Sequence, residues 1–179
     1  MTPDNELTTP RLTLRLIQAD ESHVFASAIR RSPSLYPWLD WCHAHFSDNE
    51  ASDFLMHTRL NWVKNESFGF GVYLRKTQEF VGMVALTDMA LNFNMGTIGF
   101  WICDKFQRQG YAQEAIGRLI RFCFEDLQLT RLECICDPEN TASHQLTLAC
   151  GAVKECLARN RYLFNGSPKD GVVFSFVPE

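Results

Sequence analysis

One stretch constrains this sequence more than any other: an apolar segment that leads through a polar turn into an amphipathic helix. Residues 97–102 have the composition of a β-strand, and the polar turn after them contains Gly110. Beyond the turn, apolar side chains recur every three or four residues, the period of one helix face; they are Ala112, Ala115, Ile116, Leu119, Ile120, Cys123 and Leu127. The pattern predicts a strand–turn–helix unit with the turn at the helix N-terminus.

The predicted turn has the properties of an anion-binding site. Several backbone N–H groups at a helix N-terminus lack partners inside the helix, and the helix dipole is positive there. Gly110 permits a ligand to approach the backbone closely. The stretch therefore predicts a site for a diphosphate, although an ordinary turn with one glycine would show the same pattern.

Composition bounds the class of protein. The 179 residues are nearly half apolar, which predicts a single globular domain over residues 1–179. The net charge of −4 argues against nucleic acid as a direct partner. Residues 1–10 are polar and no long apolar run follows, so we expect neither a signal peptide nor a membrane partner. Seven scattered cysteines predict reduced thiols in a cytoplasmic protein without a metal site.

Periodicity and turn signals predict the order β-α-α-β-β-β-α-β-α-β-β. Asp20 is the expected N-cap of the first helix, which ends near residue 31, and Ser47 to Glu50 has the spacing of a capping box for the second. The helix after the turn is expected to end near Leu129, and the last helix to run from Asn140 to a C-terminal glycine, Gly151. The predicted strands are residues 11–17, 68–74, 80–87, 96–102, 131–136, 153–164 and 172–177.

The spacing Gln107-x-x-Gly110-x-Ala112 after a strand resembles the acetyl-CoA pyrophosphate loop of the GNAT acetyltransferase superfamily, and the element order resembles the GNAT fold over almost the entire chain. Several further features are similar to the RimJ/RimL branch, whose members acetylate N-terminal amines of ribosomal proteins; they are Leu39-Asp40-Trp41, Gly99-Phe100-Trp101-Ile102, Asn140-x-x-Ser143 before Gly151, and Asn165-Gly166 before Asp170. The resemblance implies an α/β (α+β) fold with a mixed central sheet of about seven strands and flanking helices.

The resemblance also implies how the co-substrate acetyl-CoA binds. Its pantetheine arm would lie between the strands 96–102 and 131–136, where one backbone N–H near residues 100–102 would stabilise the developing negative oxygen. The cofactor-binding residues implied are Phe100, Trp101, Ile102, Gln107, Arg108, Gln109, Gly110, Tyr111, Ala112, Asn140 and Ser143.

The expected reaction is direct attack by a neutral amine on the thioester, after which the thiolate leaving group needs a proton. Many GNAT enzymes supply it from a tyrosine at the position of Thr147, whereas relatives of RimL have a serine at the position of Ser143. We therefore expect Ser143 to be the catalytic donor. The alternatives are that Ser143 only bonds within its helix and that Asn140 is only a helix cap.

The acceptor site is less well determined by the sequence. Asp40, Trp41, Tyr162 and Asp170 are the substrate-binding candidates, and the aromatic stretch Trp38, Trp41, His43 and Phe46 either forms the acceptor wall or belongs to the core. A base for the amine could be Asp40, Asp88, Glu133 or Asp170, but none has a compelling position. An α-amine titrates near 7.7–8.0 and a lysine near 10.4, so an N-terminal amine needs only a weak base or water.

The leading hypothesis is an N-acetyltransferase that acts on the N-terminal α-amine of a ribosomal protein. A small-molecule amine, such as a polyamine, an antibiotic or a peptide toxin, is an alternative acceptor. A non-catalytic acyl-CoA-binding sensor is a third hypothesis, because Thr147 replaces the tyrosine. The sequence leaves a homodimer open and does not identify the acceptor, because acceptor pockets are built from loops.

Overall fold

The computed structural model describes residues 4–178, which form eight strands and four α-helices. The strands are β1 Leu7–Thr8, β2 Leu12–Arg15, β3 Phe68–Leu74, β4 Phe80–Ala90, β5 Met95–Ile102, β6 Arg131–Cys136, β7 Val153–Phe164 and β8 Ser167–Phe176. The helices are α1 Ser22–Arg30, α2 Asp48–Lys64, α3 Tyr111–Arg121 and α4 Thr141–Ala149. The order agrees with the prediction except for β1, which is too short to leave a periodic signal.

All eight strands join one mixed sheet in the order β1-β2-β3-β4-β5-β6-β8-β7. The mixed α/β architecture is confirmed, with eight strands rather than about seven. Neighbouring strands are antiparallel except β5 and β6, which are parallel. The β5–β6 ladder covers only Met95↔Arg131, Gly96↔Leu132 and Thr97↔Glu133, after which the two strands part. Both continue beyond the ladder, so the sheet has an opening between them.

A cluster of aromatic rings fixes the irregular segment before α2 against the sheet. Phe25 of α1 is 1% exposed, and its ring centroid lies 5.2–6.3 Å from those of Trp41, Phe46, Phe54, Phe80 and Trp101. Ser47 caps α2 by accepting from the Glu50 N–H, while the Glu50 carboxylate accepts from the Ser47 N–H, so the predicted capping box is confirmed. This packing holds residues 33–46 beside the end of β5.

Besides shifts at the ends of β2 and β4, three boundaries differ from the expectation. Asp20 is not an N-cap, because it lies inside a 3₁₀ turn, Ala19–Glu21, in which the Gln18 N–H donates to the Glu21 carboxylate over 2.7 Å. The α-helical part of the helix after the turn ends at Arg121, and a π-helical turn, Phe122–Asp126, continues it. In that turn the Leu127 N–H donates to the Phe122 carbonyl, a bond that spans five residues.

The third difference lies in the last hairpin. β8 begins at Ser167 rather than at residue 172, so only Asn165 and Gly166 remain as the turn, with φ values of +49° and +73°. Asn-Gly favours this two-residue turn because both positions need positive φ. β6 pairs with β8 only from Val172 onward, and the hairpin therefore extends beyond the end of β6. No helix within residues 4–178 has both the length and the apolar character needed to cross a membrane.

Candidate active site

A cavity of about 880 Å³ lies where β5 and β6 part. Its walls come from residues 98–102 of β5, residues 134–137 at the end of β6, the first turns of α3 and α4, and residues 34–39 before α2. Residues 107–110, here called the phosphate loop, close one end, and Tyr162 of β7 contributes to the wall. The cavity thus joins the predicted diphosphate site to the gap between the strands.

The phosphate loop delivers an open helix N-terminus to the cavity. Gly110 occupies the N-cap of α3 with φ of +79°, and no side chain among residues 4–178 caps this end of the helix. Arg108 also has a positive φ, +57°. The first N–H groups of α3 therefore lack side-chain acceptors, and Tyr111 and Ala112 line the cavity beside Gly110. This arrangement can accept a phosphate group.

Arg11, which precedes β2, braces the phosphate loop from outside. Its guanidinium donates to the Gln109 carbonyl over 3.0 Å, pairs with Glu114 at 2.5 Å and lies 4.6 Å from the centroid of the Tyr111 ring. Burial acts to raise the pKa of Glu114, but hydrogen bonds from Thr9 and Arg11 outweigh it and lower that pKa. Sequence reasoning missed Arg11, because about a hundred residues separate it from its partners.

The side chains of the two glutamines in the phosphate loop donate hydrogen bonds to other residues of the protein. The Gln107 amide donates to the Ser34 hydroxyl over 2.9 Å and to the Ile102 carbonyl over 3.0 Å, so it ties the loop to the end of β5. The Gln109 amide donates to the Lys105 carbonyl, and Gln109 does not line the cavity. Gln107 and Arg108 do line it.

β5 offers mainly its backbone to the cavity. The Trp101 side chain is 7% exposed and packs against the rings of Trp41, Phe25 and Phe80. Residues 98–102 have no ladder with β6, so one side of their backbone can pair with an extended ligand. Phe100, Trp101 and Ile102 all line the cavity, and their contact with a pantetheine arm stays a prediction.

The first turn of α4 brings Asn140 and Ser143 to the opposite wall. The Asn140 side chain accepts from the Ser143 N–H over 3.1 Å, which makes Asn140 the N-cap of α4. Within residues 4–178 the Ser143 hydroxyl itself has no hydrogen-bond partner, and Ser143 lines the cavity. Thr147 is fully buried, and its hydroxyl lies 3.7 Å from the Cys134 sulfur, so it does not reach the cavity.

Asp137 and Tyr162 form a hydrogen-bonded pair on the cavity wall. The Tyr162 hydroxyl donates to Asp137 Oδ2 over 2.7 Å. Burial and the hydrogen bond to Asp137 raise the pKa of Tyr162. Sequence reasoning named Tyr162 but missed Asp137, whose only local signal is its place directly after β6.

The other acceptor candidates lie elsewhere. Asp40 accepts from the Asn165 N–H over 3.2 Å, Asp170 accepts from the Asn160 N–H over 2.9 Å, and Trp41 stacks on Phe54 at 4.7 Å. None of the three lines the cavity, because each is held by the hairpin or the aromatic core. Of the predicted aromatic wall, Trp38 lines the cavity, whereas Phe46 is buried and His43 contacts Glu50 at 2.9 Å.

The remaining base candidates are also outside the cavity. Glu133 pairs with Arg131 at 2.8 Å and with Arg161 at 3.3 Å, and Asp88 lies in a separate cleft beside the end of α2. All seven cysteines are free thiols, and Cys134 and Cys136 share a face of β6 with their sulfurs 3.8 Å apart. Within residues 4–178 there is no group of three or more side chains placed to hold a metal ion.

The fold and this cavity agree with a family comparison. Residues 11–153 match the acetyltransferase (GNAT) domain family, and the chain belongs to that family of N-acetyltransferases. GNAT acetyltransferases use acetyl-CoA as acyl donor.

Among relatives of known structure, a Vibrio cholerae protein assigned provisionally as a ribosomal-protein-serine acetyltransferase is 54% identical, with a TM-score of 0.93; the match covers 99% of this chain and 100% of that one. The [ribosomal protein uS5]-alanine N-acetyltransferase of Escherichia coli is 25% identical over 96% of this chain and 90% of its own. The microcin C7 self-immunity acetyltransferase MccE, solved with acetyl-CoA and AMP, shares the fold at 18% identity and a TM-score of 0.85, over 95% of this chain and 94% of its own.

Proposed function

We propose that this protein transfers an acetyl group from acetyl-CoA to the N-terminal α-amine of a ribosomal protein. One observation carries the proposal: a single cavity brings together an open helix N-terminus, an unpaired strand edge and the free hydroxyl of Ser143. The names of the Vibrio cholerae and Escherichia coli relatives, which both specify ribosomal proteins, support the acceptor class.

The residues present fit acetyl-CoA along the length of the cavity. The N–H groups of Gly110, Tyr111 and Ala112 would hold the diphosphate, and Arg108 adds a positive charge beside them. The backbone of residues 98–102 would pair with the pantetheine amides as an added strand does. When bound, acetyl-CoA supplies an acetyl group activated as a thioester.

The protein then has two tasks at the reacting carbon. A backbone N–H of residues 100–102 stabilises the negative charge that develops on the carbonyl oxygen. Ser143 donates its hydroxyl proton to the departing sulfur, because Ser143 lines the cavity and its hydroxyl has no competing partner among the described residues. Asn140 supports this role by capping α4, which fixes the position of Ser143.

The acceptor side favours a weakly basic amine. About a third of α-amines are neutral near pH 7.5, against about one in a thousand lysines. Glu133, Asp88, Asp40 and Asp170 do not line the cavity, and the carboxylate that does, Asp137, already accepts a hydrogen bond from the Tyr162 hydroxyl. A protein N-terminus is therefore favoured over a lysine side chain as the acceptor.

Intact-mass analysis tests the proposal. The purified protein would be incubated with acetyl-CoA and, separately, with the ribosomal stalk protein, a serine-initiated peptide containing one lysine, its N-terminally blocked twin, and a polyamine. We expect one acetyl group on the stalk protein and on the unblocked peptide, and none on the blocked twin. Transfer to the polyamine alone would indicate small-molecule acetylation, and transfer to no amine while acetyl-CoA still binds would favour a sensor.

The variant Ser143→Ala tests the assigned donor. We expect turnover to fall about 100-fold, within the range of general acid–base contributions, while acetyl-CoA affinity stays unchanged. Ser52→Ala is the matched control, because Ser52 is exposed on α2 outside the cavity. Equal turnover for the two variants would remove Ser143 from the mechanism.

A further inference from the structure

The pair formed by Asp137 and Tyr162 depends on the unequal lengths of three strands. The β6–β8 ladder ends at Cys136↔Val172, whereas the β7–β8 hairpin continues through Tyr162↔Lys169. Tyr162 therefore lies alongside the residue that directly follows β6. That residue is Asp137, whose Oδ2 accepts the Tyr162 hydroxyl proton over 2.7 Å at the cavity wall.

A β-bulge directs Tyr162 into this position. Between Ala158↔Gly171 and Tyr162↔Lys169, three residues of β7 face Asp170 alone. Asn160 in the bulge has φ of +48°, and its N–H donates to Asp170 Oδ1 over 2.9 Å. Bulges of this kind re-aim the side chains that follow them. Asp170 therefore acts on the site indirectly, by holding the bulge.

The direction of the hydrogen bond determines what Tyr162 can offer a ligand. Its only proton points to Asp137, so the hydroxyl oxygen presents acceptor lone pairs to the cavity. A ligand must then bring a donor, and an amine N–H meets that requirement while a carbonyl or carboxylate does not. The negative charge of Asp137 behind the hydroxyl favours the same ligand.

Asp137 is itself held firmly. Its Oδ1 accepts from the Glu139 N–H over 2.9 Å, and its carbonyl accepts from the Asn140 N–H over 3.0 Å. The same carbonyl lies 2.8 Å from His144 Nε2, which donates to it. Since His144 follows Ser143 in α4, the same network positions the Tyr162–Asp137 pair and the candidate donor to sulfur.

We infer that Tyr162 is a catalytic residue that receives a proton from the acceptor amine, with Asp137 as the positioning residue behind it; the inference rests on the proposed function. As the amine nitrogen bonds to the thioester carbon, one of its protons moves to the Tyr162 oxygen while the Tyr162 proton moves to Asp137 Oδ2. The carbon–sulfur bond breaks with its electron pair on sulfur, which takes the Ser143 proton. Asp137 then loses its proton to solvent, and Ser143 regains one from solvent.

A double-mutant cycle with Tyr162→Phe and Asp137→Asn tests the inference. Steady-state rates would be measured on the unblocked serine peptide, together with acetyl-CoA binding and thermal unfolding. We expect each single variant to lower kcat by about 100-fold and to leave the KM for acetyl-CoA within about twofold. Because the two groups act as a unit, the double variant should be no slower than the slower single variant. Tyr36→Phe is the structural control, because the Tyr36 hydroxyl bonds to backbone carbonyls of α1.

The outcomes separate this inference from the proposed function. A wild-type protein that acetylates none of the amines overturns both. A wild type that acetylates the peptide, with kcat unchanged in Tyr162→Phe, overturns the inference alone. Losses that multiply in the double variant also overturn it, because they show independent roles. If Tyr162→Phe unfolds, the kcat of Asp137→Asn still tests the inference, because this variant retains Tyr162 and replaces Asp137 with a side chain of the same size.

Discussion

Substituting Gly110 should weaken both the fold and the binding of acetyl-CoA. Gly110 has φ of +79°, a conformation that costs an L-residue about 1–2 kcal/mol. A Cβ there would also lie 3.2 Å from Arg11 Nη2, so the guanidinium would have to shift. That guanidinium is pinned by Glu114 and the Gln109 carbonyl, so the shift would disturb the brace on the phosphate loop.

We therefore expect Gly110→Ala to lower the free energy of unfolding by about 1–2 kcal/mol. For a domain of this size, that corresponds to a melting temperature lower by about 2–8 °C. Displacement of the loop N–H groups should also raise the Kd for acetyl-CoA by about tenfold, a loss of about 1.4 kcal/mol. Differential scanning fluorimetry and isothermal titration calorimetry would measure the two effects.

Gly117→Ala provides the matched control, because it changes a glycine in the same helix. A Cβ at Gly117 meets no atom within 4 Å, and its φ is not positive. Alanine in this helix interior should raise the stability by about 0.5–1 kcal/mol and leave the Kd unchanged. If Gly110→Ala behaves like Gly117→Ala in either measurement, the argument from the strained turn is refuted.

Two further predictions concern titration and thiol reactivity. Burial acts to raise the pKa of Glu21, but the hydrogen bonds from Arg15 outweigh it and lower that pKa below its value in the unfolded chain. The Glu21 carboxylate therefore stabilises the fold above about pH 4.3, and this stabilisation is lost as the pH falls through the folded pKa. Urea unfolding from pH 6 to pH 3 should show that Glu21→Gln has a free energy of unfolding about 1 kcal/mol below that of the wild type at pH 6 and closer to it at pH 3. Glu66→Gln is the control, because Glu66 is exposed and lies 3.9 Å from Lys64, and its stability should match the wild type throughout. Cys156 is exposed, while burial raises the pKa of the Cys42 and Cys123 thiols to about 12, so an aromatic disulfide reagent should show one fast thiol that Cys156→Ser removes. A fast phase that survives this substitution would contradict the assignment.

Local signals explain what the sequence could predict. Ser47 and Glu50 are three residues apart, so their capping box was readable in the chain and is confirmed. The period of apolar residues in α3 and the glycine at its start likewise come from neighbouring residues, and they led to the phosphate loop. The family relation follows from the same local patterns together with their order.

The missed residues act through contacts that no local pattern reports. Arg11 reaches Glu114 across 103 positions, and Asp137 reaches Tyr162 across 25. Trp41 was predicted at the substrate, but aromatic residues suit a core equally well, and its ring stacks on Phe54 there. The bulge that aims Tyr162 depends on a hydrogen bond to Asp170 that a strand pattern cannot reveal.

The short ladder between β5 and β6 gives the sheet a seam. Three residue pairs join the two strands directly, and β6 is otherwise secured by β8 and by α4. A ligand that pairs with residues 98–102 would fill the gap between β5 and β6 as an added strand does. Ligand binding would therefore also stabilise the junction between these two strands. Amide hydrogen exchange in residues 131–136 should then slow when acetyl-CoA binds. Beyond the three pairs, the sheet would thus be continuous from β5 to β6 only in the protein with acetyl-CoA bound.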